Sequence, residues 1–361
     1  MKPYDYGRVI FSTSKALPSF DINKIHTAKQ LEKAWTNNFQ RYNISLKNEF
    51  ESRPIWDDVS IWCFNRKTDK FRLTLSDFSD FSEVLQRNRS TVLFVHGWLQ
   101  SKLQFAEGVK RLALAVPKRN YCLVDFETLA TVELQLFINQ IAPRIATFLA
   151  GFVQSLGAFD IPPEQVTLIG EGVTAHLVAQ TGHILAGHLG SIIGLDPLGP
   201  FYTVGPMVQR ERFTLDPSDA QFVQVWYSSI GQLGSPDPLG HQNIYVNGGL
   251  HPQPSCTCFT KVFGAANLCK CNTLLVLVLH AFPLHSTYLS LTVTQLCSHY
   301  FVVEVFKATL DPTTDLLATK CHSYKHFLAG RCRIHPKTRA TTDGTDAGNF
   351  YLQTSCKPPY L

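Results

Sequence analysis

Five short apolar runs with little polar alternation constrain this chain most: Thr91–Val95, Tyr121–Asp125, Gln165–Ile169, Ser191–Leu195 and Phe222–Tyr227. A strand with one wet face alternates apolar and polar residues, whereas a strand buried on both faces does not. The runs therefore predict a parallel sheet covered on both sides. Helical patterns lie between them, over about 102–116, about 131–156 and up to about Leu185. In the second, Leu134, Phe137, Ile138, Ile141, Ile145, Phe148 and Phe152 recur at spacings of three and four, with Gly157 just beyond. Strands alternating with helices in this way predict an α/β fold, mainly parallel, with helices on both faces. Its ligands are expected at the C-terminal ends of the strands. Residues 58–63 and 70–75 read as shorter strands. Lys24, Lys29 and Lys33 fall on an amphipathic helix over about 27–40, and 1–20 reads as a tail.

Among the 361 residues, 45% are hydrophobic and 17% charged, enough apolar material for a packed core and too little charge for a disordered chain. The net charge of +5 is mild and forms no basic stripe across the chain, which argues against a nucleic-acid partner. Ten cysteines are many for a cytosolic enzyme, and seven fall between Cys256 and Cys332, suggesting covalent staples over one irregular region. Asn43 and Asn88 each open a glycosylation sequon. Residues 1–20 have no apolar run of signal-peptide length, so the cysteines favour a secreted protein whose leader lies outside this sequence. Cys256-x-Cys258 and Cys269-x-Cys271 supply four thiols, but structural zinc prefers wider spacing within each pair; no metal or other cofactor is expected. Lys320 to Arg339 holds six Lys or Arg residues and no acid, read as a solvated basic face.

Between Lys270 and Glu304 no Asp, Glu, Lys or Arg occurs. The apolar Leu274–Leu279 is broken by His280, Pro283 and His285, short of the roughly 20 residues a membrane span needs. No span is expected. Residues of about 256–297 read as a lid or insert, with about 272–295 either an enlarged apolar lid or a translated intervening sequence.

The third strand runs into a sharp turn and a helix, the place where hydrolases put a nucleophile in the pattern Gly-x-Ser-x-Gly. Here the five positions are Gly170, Glu171, Gly172, Val173 and Thr174. The neighbouring motifs are Phe94-Val-His-Gly-Trp98, Ile193 to Pro200 with its Gly-Leu-Asp-Pro core, Gly240 to Gly249, and Cys297-Ser-His299. Together these resemble the animal pancreatic-lipase family, especially its arthropod branch of lipases, phospholipases A1 and yolk proteins, over roughly residues 55–356.

The resemblance implies an α/β-hydrolase fold over 21–361, without the family's C-terminal β-sandwich domain. It implies Asp196 as the triad acid, His299 as the general base, and the backbone N–H groups of Trp98 and Val173 as oxyanion-hole donors. It also implies that Cys297 pairs with Cys256 or Cys258, and Cys321 with Cys332. The nucleophile position falls on Gly172, which has no side chain to attack a carbonyl. Thr174 lies two positions into the helix rather than at the apex, and Glu171 reads as a tolerated change rather than a substitute acid. Yolk proteins of higher flies resemble this chain in the Gly-x-Gly segment followed by Ala175-His176. The expectation is a secreted, non-catalytic lipase homologue with a storage or lipid-binding role and acyl chains as cleft ligand. A receptor or a lipase would be its protein partner. The competing expectation is an active triacylglycerol lipase or phospholipase A1.

Overall fold

The computed structural model describes residues 55, 58–64, 84–116, 118–203, 213–257, 293–311, 313, 314, 316–339 and 346–355. The expected helix over 27–40, the strand over 70–75, Asn43, Cys258 and most of the 272–295 insert lie outside them.

Each of the five apolar runs is a strand. In chain order the first elements are β1 (Ser60–Phe64), β2 (Thr91–Val95), α1 (Leu103–Ala115), β3 (Asn120–Asp125) and α2, which starts at Leu134. There follow β4 (Val166–Glu171), α3 (Val173–Ile184), β5 (Ser191–Leu195), β6 (Phe222–Tyr227) and β7 (Gln242–Val246). The remainder is α4 (Val293–Thr309), β8 (Leu317–Lys320), α5 (Tyr324–Leu328), β9 (Lys337–Arg339) and β10 (Gly348–Leu352). The strands form one sheet in the order β1-β3-β2-β4-β5-β6-β7-β10-β8-β9. From β3 to β10 every neighbour is parallel, while β1, β8 and β9 add antiparallel edges. This is the α/β-hydrolase fold.

The period of two explains the uninterrupted apolar runs. Leu93 and Val95 of β2 point into one core with Phe137, Ile145, Phe152 and Leu177 of α2 and α3. Val92 and Phe94 point into the other, with Phe105 of α1 and Val302 and Phe306 of α4. Both faces are dry, so both sets of alternate positions are mainly apolar.

Helix α2 is not regular. Leu134–Leu136 leads into a π-helical segment, Phe137–Ile141, before α-helix resumes over Ala142–Ser155 with Pro143 near its start. Proline has no N–H for the preceding turn, and a wider turn there absorbs the missing bond. Leu134–Phe159 is long and apolar enough to cross a membrane, yet 61% of its most apolar window is buried inside the protein. It is packed against α3, as a core helix is.

Cys63 and Cys122 are directly opposed across β1 and β3 and form a disulfide that nothing in the sequence signals. Cys256 pairs with Cys297, and Cys321 with Cys332. Since Cys256 is committed to Cys297, the four-thiolate zinc set cannot form. Asn88 is exposed in a turn with φ 52°. Of the expected 272–295 insert, Val293–Gln295 begin α4, the helix that carries Cys297 and His299. Of the 256–297 lid range, the last residues lie in α4 and the first in a short helical turn, Pro254–Thr257.

Candidate functional site

Three of the parallel strands end beside one another, and their following loops build the site. β2 runs into His96-Gly97-Trp98. The buried His96 ring holds this loop against β3: Nδ1–H donates to Gly97 O (2.9 Å), and Nε2 accepts from Phe126 N (3.1 Å). Trp98 donates its indole N–H to Val132 O at 2.8 Å, and Leu99 N donates to Ala130 O at 3.0 Å.

β4 runs into the sharp turn. Gly172 has φ 55° and ψ −116°, a left-handed conformation that glycine adopts at no steric cost. Its N–H donates to Leu195 O (2.9 Å), and its carbonyl accepts from Leu198 N (3.1 Å), tying the turn to the end of β5. Gly170 is needed for a different reason: a Cβ there would collide with the Thr174 carbonyl oxygen. Thr174 is buried, with Oγ1 donating to Glu171 O and accepting from Glu171 N, both at 2.9 Å. Its hydroxyl is spent on stitching the turn and does not line the cleft.

β5 delivers Asp196, fully buried and at φ 44°. Its Oδ1 accepts from Ser228 N (2.8 Å) and Ser229 N (3.1 Å), and its Oδ2 accepts from Ser229 Oγ and from His299 Nδ1–H, the latter at 2.6 Å. Ser228 and Ser229 carry no signal in the sequence; they follow β6, and only the folded loop brings them here. This network leaves His299 with one orientation, Nε2 turned toward Gly172. A Cβ on residue 172 would stand 2.9 Å from that nitrogen. Burial pulls the imidazole's pKa down, but the hydrogen bond and charge of Asp196, with the charge of Glu171, hold it above its ordinary value.

Asp196 therefore anchors the loop after β6 as well as a histidine, a reason for it to persist whatever the chemistry. Asp196→Asn should lower stability by about 2 kcal/mol through its misplaced amide N–H groups. Urea denaturation checks this, and a change within error would mean the four donors are not under load.

Glu171 is the unexpected resident. Its carboxyl is buried and lines the cleft, with Oε2 accepting from Gln104 Nε2 and Oε1 without a hydrogen-bond partner. Burial raises its pKa to about 7, against the lowering influence of His299 and Gln104. Gln104 also lies outside the sequence expectations. His176, by contrast, is a core residue: it joins Leu198 O (2.9 Å) to Leu215 N (3.1 Å), and burial lowers its pKa to about 4.

Gly97, Trp98, Glu171, Gly172, Val173 and His299 meet at one cleft, walled by Leu134, Leu198, Leu233 and Leu296. It encloses about 40 Å³, room for a few waters and well under the roughly 300–1,000 Å³ of a site enclosing a drug-sized ligand. Chemically, the Asp196–His299 pair can hold or move a proton at His299 Nε2, next to backbone N–H groups at the start of α3. At the turn itself nothing can attack. No group of three or more His, Cys, Asp or Glu among the described residues could hold a metal ion. The basic run is elsewhere, on β8, α5 and β9, where Lys325, Arg331, Arg333 and Lys337 are exposed.

A mainly parallel sheet with helices on both faces, a strand–turn–helix elbow and an Asp–His pair beside it define an α/β-hydrolase-fold protein. The Lipase family model matches residues 32–360, and the chain belongs to that family. It is 28% identical over 250 residues to lipase member H of Rattus norvegicus, covering 69% of this chain and 48% of that protein. It is 29% identical over 244 residues to phospholipase A1 member A of Homo sapiens, covering 67% of this chain and 46% of that protein. The chain thus spans about half the length of the curated relatives it matches.

Proposed function

We propose that this chain is a lipase homologue without acyl-transfer chemistry, working outside the cell as a lipid-binding or yolk-like storage protein. One observation carries the reading: the apex of the elbow is Gly172, with His299 Nε2 poised over a position that has no side chain. In this reading Asp196 and His299 are the remains of a triad, and the N–H groups of Trp98 and Val173 those of an oxyanion hole. Removing a nucleophile typically costs about 10⁶ in turnover, more than the remaining groups restore. Thr174, the nearest hydroxyl in sequence, is bonded back to Glu171. Three disulfides support an oxidising compartment, and the exposed turn at Asn88 would accept a glycan.

The intact Asp196–His299 hydrogen bond favours one competing reading, an active lipase or phospholipase A1 with an unrecognised nucleophile. Assays on emulsified triacylglycerol and on phosphatidylcholine separate the two. No turnover above the buffer rate is expected from the purified chain. Turnover that survives repurification and disappears in His299→Ala would make it an enzyme.

A further inference from the structure

Glu171 Oε1 is buried without a partner, and His299 Nε2, on the same cleft, makes no hydrogen bond among the described residues. Nor does the N–H of Val173, the first residue of the twelve-residue helix α3, where no intrahelical acceptor exists. Glu171, Val173 and His299 line one cleft whose walls are leucines. Glu171 Oε1 is the buried atom among the three left unpaired, a costly state, and together the three groups describe what would satisfy them.

We propose that the cleft binds a long-chain carboxylic acid, its carboxyl group seated beside Gly172 between Glu171, His299 and the Val173 N–H. The inference rests on the lipid-binding reading above and names its ligand. A carboxyl has two oxygens, one able to accept from Val173 N–H and from the Nε2–H that His299 carries as an imidazolium, while the other shares a proton with Glu171 Oε1. An ester has no proton to share, and an alcohol has a single oxygen for three separate partners. The bare apex is what makes room, since a side chain on residue 172 would project toward the His299 ring. The 40 Å³ cleft holds the head group, and the alkyl chain follows the leucine walls outward.

The arrangement makes binding depend on pH. Glu171 faces Gln104 on α1 and His299, Tyr300, Glu304 and Lys307 on α4; Asp196 stands behind His299. With Glu171 protonated it hydrogen-bonds a ligand carboxylate; once ionised it repels one. The folded-state value of about 7 puts this change in the neutral range, and His299, held above its ordinary value by Asp196 and Glu171, adds to the fall in affinity as it gives up its Nε2 proton.

Isothermal titration of the full chain with decanoate, decan-1-ol and methyl decanoate tests the idea, since decanoate stays ionised and monomeric through the range used. At pH 6 decanoate should bind at least about 10-fold more tightly than either neutral analogue, a difference of about 1.4 kcal/mol. Its affinity should fall about 10-fold or more by pH 8.5, and Glu171→Gln should flatten that fall. Equal, pH-independent binding of all three would overturn carboxyl recognition and leave a carrier that grips only the chain. So would an unchanged pH profile in Glu171→Gln. Binding of none would remove both the inference and the lipid-binding reading beneath it.

Discussion

Replacing Gly172 with serine should raise hydrolysis of a short-chain p-nitrophenyl ester by about 10³-fold or more over the unaltered chain. A buried carboxylate is bonded to an imidazole at 2.6 Å, and the Nε2 of that imidazole is directed at the elbow. The expected gain falls below the roughly 10⁶ that a nucleophile is worth, because Thr174 remains where the pattern has its last glycine and the Glu171 carboxyl lines the same cleft. The new Cβ would stand 2.9 Å from His299 Nε2, so the ring must retreat by a few tenths of an ångström. A side chain at φ 55° adds about 1–2 kcal/mol of backbone strain, so the variant should also be less stable than its parent. Initial rates and urea denaturation measure the two effects side by side. A folded variant no faster than its parent would show that the Asp196–His299 pair can no longer activate a hydroxyl.

Glu171→Gln should stabilise the protein at alkaline pH by about 3 kcal/mol and by less than about 1 kcal/mol at pH 5. The sign follows from the proton count. Glu171 has a folded-state pKa of about 7 against an ordinary value of 4.5, so between those values the folded state holds a proton that the unfolded state has released. Stability then falls by about 1.4 kcal/mol for each pH unit. The carboxyl's contribution is complete below about 4.5 and gone above about 7. Glutamine has no proton to lose, so the gap between variant and parent opens over that window and stays level beyond it. Unfolding free energies of both proteins at about pH 5, 6, 7 and 8 give the curve. A gap that does not change with pH would mean that water or a counter-ion reaches the carboxylate and that the charge is not desolvated.

The parallel strands are legible in the sequence because burial on both faces erases alternation, as Val92 to Val95 divide between two cores. The antiparallel strand β8 and the edge strand β9 are not: Leu317–Lys320 and Lys337–Arg339 are short and rich in polar residues, with little to separate them from loops. Helix α4 escapes notice for the opposite reason. Phe301, Val302, Val303, Val305 and Phe306 are all buried, so apolar residues surround it and no face stands out. In the site, Gly172, Asp196 and His299 can be picked out because short motifs surround them. Gln104, Ser228 and Ser229 act through contacts between distant loops, and no local pattern marks such a residue. Glu171 looks like a tolerated change in the sequence, yet it is a buried carboxyl on the cleft floor. Its neighbours along the chain reveal neither its burial nor its missing partner.

The bridge between Cys256 and Cys297 spans 41 positions, and residues 258–292 lie wholly within it. A protease that cut anywhere in that span would sever the backbone without releasing a fragment, because the half bearing Gly172 and the half bearing His299 would remain covalently joined. A single band on a non-reducing gel is therefore no witness to an uncut chain. Molecular weight in the absence of reductant would read the same for both forms, and only reduction would tell a two-chain protein from a one-chain protein.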